Sequence, residues 1–208
     1  MTDISPAGRL VAGVAAAAGF FGLALQLVLI IGTTTASGGT AVWAVFNFFC
    51  FFTILSNAIV AAMLARVALG RAPAAPLLGA ATLYIAVVGI TYSVALRHIW
   101  DPQGWQLIAD RVLHDVVPVL ACLFWLVFVP KGRLSVRIIP SWLIFPIAYL
   151  GWSLARGAVD GWYPYYFIDA GKLGYAVMAR NALVVTALFA LVALVIVGFD
   201  RLLGQRRG

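Results

Sequence analysis

Six apolar runs, most of them long enough to cross a bilayer as helices, fix most of what this chain can fold into. They are Leu10–Ile31, Ala41–Leu64, Leu77–Ala95, Leu107–Val129, Ser141–Ala155 and Ala179–Val197. Spanning the roughly 30 Å hydrocarbon core takes about 20 helical residues. The fifth run is short, with room to begin at Val136 or to continue past Arg156. None alternates polar with apolar residues as barrel staves do, and in lipid only helices or a closed barrel satisfy the backbone. The expectation is an all-α, polytopic membrane protein: a six-transmembrane-helix bundle forming a single domain over residues 1–208.

Composition points the same way. Of 208 residues 64% are hydrophobic and only 10% charged, against about 25% charged in soluble domains. Too few polar side chains remain to cover a water-facing surface. That excludes a disordered chain, a disulfide scaffold and a nucleic-acid-binding module, so the +7 charge is read as topology. With the N-terminus cytoplasmic, Arg9, Arg66, Arg71, Lys131, Arg133, Arg137, Arg201, Arg206 and Arg207 fall inside, beside Asp3 and Asp200. Arg97, Arg111, Arg156, Lys172 and Arg180 fall outside, matched by Asp101, Asp110, Asp115, Asp160 and Asp169. This is the positive-inside pattern, and it predicts both termini in the cytoplasm of a cell that is expected to be bacterial, with the protein in its inner membrane. The first run exceeds the core of a cleaved signal and has only Arg9 as a basic flank, so it reads as a membrane helix. The outer aromatic segment GWYPYYFID reads as interfacial anchors, with a lid over an outward cavity as the alternative.

Cysteine and metal chemistry are sparse. Cys50 and Cys122 differ in estimated depth by about 10 Å along their helices, too far for a disulfide. His98 and His114 are the only histidines, no glutamate is present, and Lys131 and Lys172 flank spans. No metal, haem, retinal or other cofactor is expected.

Ionisable groups inside a span are expensive, which makes them functional candidates. The fourth run carries Asp110, Arg111, His114 and Asp115, with Asp110–His114 and Arg111–Asp115 both spaced i,i+4 so that each pair meets on one helix surface. The second carries Asn47, Thr53, Ser56 and Asn57, of which the last three share a face. The ordinary use of such residues is interhelical hydrogen bonding. Counted from the inner charges, however, Thr53 lies about 20 Å up its helix and His114 about 25 Å up its own. The two therefore fall within roughly one turn in depth. A threonine hydroxyl becomes a nucleophile when a base such as neutral imidazole takes its proton. Asp110 or Asp115 would then orient the ring. Asn57, a backbone N–H or an arginine such as Arg111 would stabilise the oxyanion.

At these residues the chain resembles a known family. FFTILSN in the second helix, H-x-x-x-P in the fourth, then WLIFPIAYLGW and YPYYFID are similar to the androgen-induced gene family, in its bacterial six-helix branch. The resemblance covers essentially the whole chain. It implies a multi-pass threonine hydrolase that cleaves fatty acid esters of hydroxy fatty acids. By motif, its catalytic threonine and histidine fall on Thr53 and His114. This chain departs from the animal members in the aromatic context of its second helix and in Asp115 after the histidine, so reaction type transfers better than substrate. The expected partners are membrane lipids and a lipid ester, with no nucleic acid; the oligomeric state is not legible. A small transporter or channel and a non-catalytic scaffold are the other readings. An intramembrane serine protease fits poorly, because GWSLARG around Ser153 lacks the second glycine of a G-x-S-x-G elbow.

Overall fold

Helix starts follow the local chemistry of the chain, and the computed structural model describes residues 3–205. Ser5 accepts the Gly8 N–H and Pro6 occupies the first turn, opening α1 (Pro6–Ala36). Thr40 caps α2 (Ala41–Phe48) in the same way through the Trp43 N–H. Further along come α3 (Phe52–Ala68), α4 (Ala75–Thr91), α5 (Gly104–Arg111) and α6 (Val117–Phe128). The C-terminal half holds α7 (Ile139–Asp160), α8 (Ala170–Leu173) and α9 (Tyr175–Gln205). Two π-helical turns, π1 (Tyr92–Leu96) and π2 (Val112–Val116), continue α4 and join α5 to α6. Among the described residues the fold is all helical, without strands.

Five helical segments are long and apolar enough to cross a membrane: Pro6–Ala36, Ala75–Leu96, Gly104–Phe128, Val136–Asp160 and Tyr175–Gln205. The remaining expected span, the second run Ala41–Leu64, is not one straight helix. It breaks between α2 and α3 with a bend of 75°. No proline or glycine marks the break, so the apolar run reads as continuous. Phe51 is instead extended (φ −94°, ψ 130°), and the exposed carbonyls are picked up locally. Cys50 N–H donates to the Asn47 carbonyl at 3.0 Å, and its thiol donates to the Phe46 carbonyl at 3.3 Å. Burial holds the corner: Phe48 before it and Ile54 after it pack in one cluster with Leu113 of π2, against Leu23, Leu27, Ile30 and Phe51. The fifth span, expected as Ser141–Ala155, runs longer at both ends.

The chain has two compact units, Met1–Leu134 with Asp200–Gly208, and Ser135–Phe199. In the first, α1 packs on α3, α6 and π2 through small residues, with Gly8, Ala12, Ala15, Gly19 and Gly22 all buried. Their alternating spacing of four and three makes a stripe on which backbones approach closely. A Cβ on Gly19 would lie 3.0 Å from that of Ala61. A Cβ on Gly22 would lie 2.7 Å from Val112 Cγ1 and 2.9 Å from Leu113 Cδ2. Buried Asp200 holds the loop after α6, accepting the Leu134 N–H at 2.8 Å while its carbonyl accepts from Gly132 at 3.0 Å. Arg206 and Arg207, two of the expected inner charges, lie outside the described residues.

In the second unit α7 stops at Gly161, whose φ of +73° supplies the left-handed cap. Ser153 on α7 is buried and its hydroxyl has no hydrogen-bond partner. Part of the aromatic segment turns inward: Tyr163, Tyr165 and Phe167 pack on Ile168, Ala170 and Met178, while Tyr166 stays half exposed.

The close approach of α1 to π2 generates a stability prediction. Gly22→Val should lower stability by about 1–3 kcal/mol through overpacking. Gly32→Val, with nothing within 4 Å of its Cβ, should cost less. Thermal unfolding in detergent checks this, and equal losses for both would contradict the packing described.

Candidate active site

Because the second run breaks, Thr53 is the second residue of α3 rather than a mid-helix position. The first turn of a helix carries the positive end of its dipole and directs backbone N–H groups outward. Thr53 is nearly buried, at 7% exposure. Its Oγ1 lies 3.3 Å from Nε2 of His114, which stands in the middle of π2. Such π turns inside α-helices recur at functional sites, because the wider turn re-aims a side chain.

Hydrogen bonding settles the imidazole's tautomer in its neutral form. Nδ1 is 3.0 Å from the Asp110 carbonyl oxygen and 3.2 Å from Asp110 Oδ1. A backbone carbonyl only accepts, so the ring proton resides on Nδ1. The Nε2 lone pair is then left to accept from the Thr53 hydroxyl. Asp110 itself is buried, and its other oxygen, Oδ2, accepts a hydrogen bond from the Tyr92 hydroxyl. The Tyr92 ring also stacks on the imidazole, with centroids 4.1 Å apart and planes 15° from parallel. The order is hydroxyl, imidazole, carboxylate, phenol, contributed by α3, π2, α5 and π1.

The remaining expected residues occupy two other places. Asn57 lies one turn below Thr53 on α3, completely buried. Its Nδ2 donates to the Thr53 carbonyl at 2.9 Å and the Leu113 carbonyl at 3.2 Å. Both amide protons are therefore engaged, one within α3 and one locking α3 against π2. Ser56, also on α3, is buried with no partner for its hydroxyl. Arg111 and Asp115 form an i,i+4 ion pair at 3.0 Å, and Asp115 also pairs with Arg97. So Asp110, not Asp115, meets the imidazole, and Arg111 sits in a half-exposed cluster beside it.

Sequence reading missed Tyr92 and Arg97. A signal was present for Tyr92: it and Asp110 stand equally far from Asp101 in the loop between their helices, so an antiparallel hairpin brings them level. Two helical turns along α3 and α6 from Thr53 and His114, a small apolar hollow is lined by Val60, Leu64, Ala121 and Trp125. Among the described residues no three His, Cys, Asp or Glu side chains gather as metal ligands would. No family model matches the chain, and neither does any curated protein or solved structure.

Removing the Asn57 amide deletes its bond to the Leu113 carbonyl, which ties α3 to π2, and its bond within α3. Asn57→Ala should destabilise the protein by about 1–3 kcal/mol, the cost of leaving buried polar groups unmatched. A melt indistinguishable from wild type would contradict the locking role.

Proposed function

We propose that this protein is an intramembrane lipid ester hydrolase that uses Thr53 as nucleophile and His114 as general base. The observation that carries the reading is the 3.3 Å approach of Thr53 Oγ1 to an Nε2 that the Nδ1 acceptors leave without a proton. A hydroxyl and a base within this reach, with the base oriented by a third group, are the parts nucleophilic acyl transfer requires.

The chemistry balances with these residues alone. Nε2 takes the Thr53 proton as Oγ1 bonds to the ester carbonyl carbon, giving a tetrahedral oxyanion. Collapse breaks the bond to the alkoxide, which leaves as an alcohol with the proton from the imidazolium. Water, deprotonated by the same Nε2, then attacks the threonyl ester carbonyl; collapse breaks the bond to Oγ1, which takes the proton back from the imidazolium, and the fatty acid leaves. Charge developing on the carbonyl oxygen arises beside the first turn of α3, where the helix dipole favours a negative charge. In this reading the field of the α3 dipole stabilises the oxyanion, since the Asn57 amide and the Ile54 and Leu55 N–H groups donate elsewhere. Asp110 stabilises the transient imidazolium.

The substrate class comes from the likeness of FFTILSN and LHDVVP to the androgen-induced gene family, which suggests fatty acid esters of hydroxy fatty acids. The charge distribution supports an inner-membrane protein with both termini cytoplasmic.

Purified protein in detergent is to be tested on a panel of lipid esters, branched fatty acid–hydroxy fatty acid esters included. Thr53→Ala and His114→Ala should each lower kcat by about 100-fold or more while the melting temperature stays near that of wild type. Turnover that survives both substitutions would overturn the dyad. A folded wild type that hydrolyses no ester, with both variants less stable, would favour a packing role for the same hydrogen bonds.

A further inference from the structure

We infer that Tyr92 is a positioning residue of this site, holding the imidazole of His114 in its working orientation by two separate contacts. The inference rests on the hydrolase reading for its consequence in catalysis, but its geometric content stands apart from it.

The first contact is with the ring. At 4.1 Å between centroids and 15° between planes, the phenol covers one face of the imidazole. Such stacking confines rotation about the histidine side chain to the plane that keeps Nε2 on Thr53. The second contact is through the hydroxyl. Asp110 is 3% exposed, and its two carboxylate oxygens are divided between two donors, Oδ1 facing His114 Nδ1 and Oδ2 taking the Tyr92 O–H. A carboxylate with a donor on only one oxygen is free to turn about its own axis. With a donor on each, supplied by different helical segments, Oδ1 stays aimed at Nδ1.

The fold places Tyr92 for this use. It opens π1 at the end of α4, directly across the hairpin from Asp110. Gly89, one turn earlier, brings α4 against this segment, since a Cβ there would lie 3.2 Å from Pro118 Cβ and 3.4 Å from the His114 carbonyl oxygen. Arg97 completes the arrangement from the other end of π1, its guanidinium carbon 4.9 Å from the Tyr92 ring centroid and its Nη2 paired with Asp115. The phenol is thus fixed by its own helix, by a cation over its ring and by a carboxylate at its tip. Simple space-filling would need only the ring.

The two contacts separate by substitution. Tyr92→Phe keeps the stacking and removes the hydroxyl; Tyr92→Leu removes both. Outer hydrogen bonds that orient a functional histidine are worth about 10–100-fold in activity elsewhere. The expected result is a kcat lowered by about that factor in Tyr92→Phe and further in Tyr92→Leu, with KM unchanged in both. A second readout does not depend on turnover. Nitrogen-15 NMR of the imidazoles, simple because His98 and His114 are the only two and assignable with His114→Ala, should show a single Nδ1–H tautomer for His114 in wild type and exchange between tautomers in Tyr92→Leu. Wild-type kcat in both variants with an unchanged tautomer would overturn the inference and leave Tyr92 a packing residue. If wild type hydrolyses nothing, the hydrolase reading fails, while the tautomer comparison still decides the positioning role.

Discussion

A helix that stops inside an apolar environment must find partners for the backbone groups it uncovers, and the break between α2 and α3 is where that constraint is met. Continuing the helix would satisfy every carbonyl at no cost. The chain turns by 75° because Phe48, Ile54 and Leu113 bury against one another around the corner. Burying each large apolar side chain contributes on the order of 1.5–3 kcal/mol in an aqueous reference, and less where lipid is the alternative. Local bonds from Cys50 and its neighbours recover part of the backbone loss. One consequence is chemical. The bend puts Thr53 in a helix first turn, and the same apolar cluster carries Leu113, the residue next to His114.

The π turns make the complementary adjustment on the other side. An uninterrupted α-helix from Gly104 to Phe128 would present its side chains at even steps. The wider turn at Val112–Val116 displaces His114 relative to the helix below it, and the turn at Tyr92–Leu96 does the same for Tyr92. Irregular backbone on three segments therefore converges on one hydroxyl, one imidazole, one carboxylate and one phenol. Polar groups buried this deeply cost several kcal/mol each when unmatched. Here most are matched to one another, with Asn57 supplying the tie between α3 and π2. Small residues on α1 let it approach closely enough to enclose the arrangement.

Much of this was legible in the sequence. Long apolar runs place the helices but not their ends, which for α9 lie up to eight residues further out, since length and hydrophobicity are what lipid selects. The rarity of polar and ionisable groups in those runs singled out Thr53, Asn57, Asp110, Arg111, His114 and Asp115 as residues worth placing. What stayed hidden has physical causes. The break at Phe49–Phe51 lacks proline or glycine and depends on tertiary burial, which periodicity cannot register. Choosing between Asp110 and Asp115 depended on the π turn, which shifts the helical phase where the histidine sits. Tyr92 escaped notice because a tyrosine near a helix end has an ordinary use as an interfacial anchor.

The central claim is that Thr53 is a nucleophile made reactive by His114. The most direct measurement is peptide mass spectrometry after treating the purified protein with a fluorophosphonate, which forms a stable phosphonyl ester with an activated hydroxyl. The account predicts a single adduct on Thr53, retained in Thr53→Ser at the same position and lost in His114→Ala. An adduct on Ser56 or Ser153, or labelling of Thr53 that persists without His114, would contradict it.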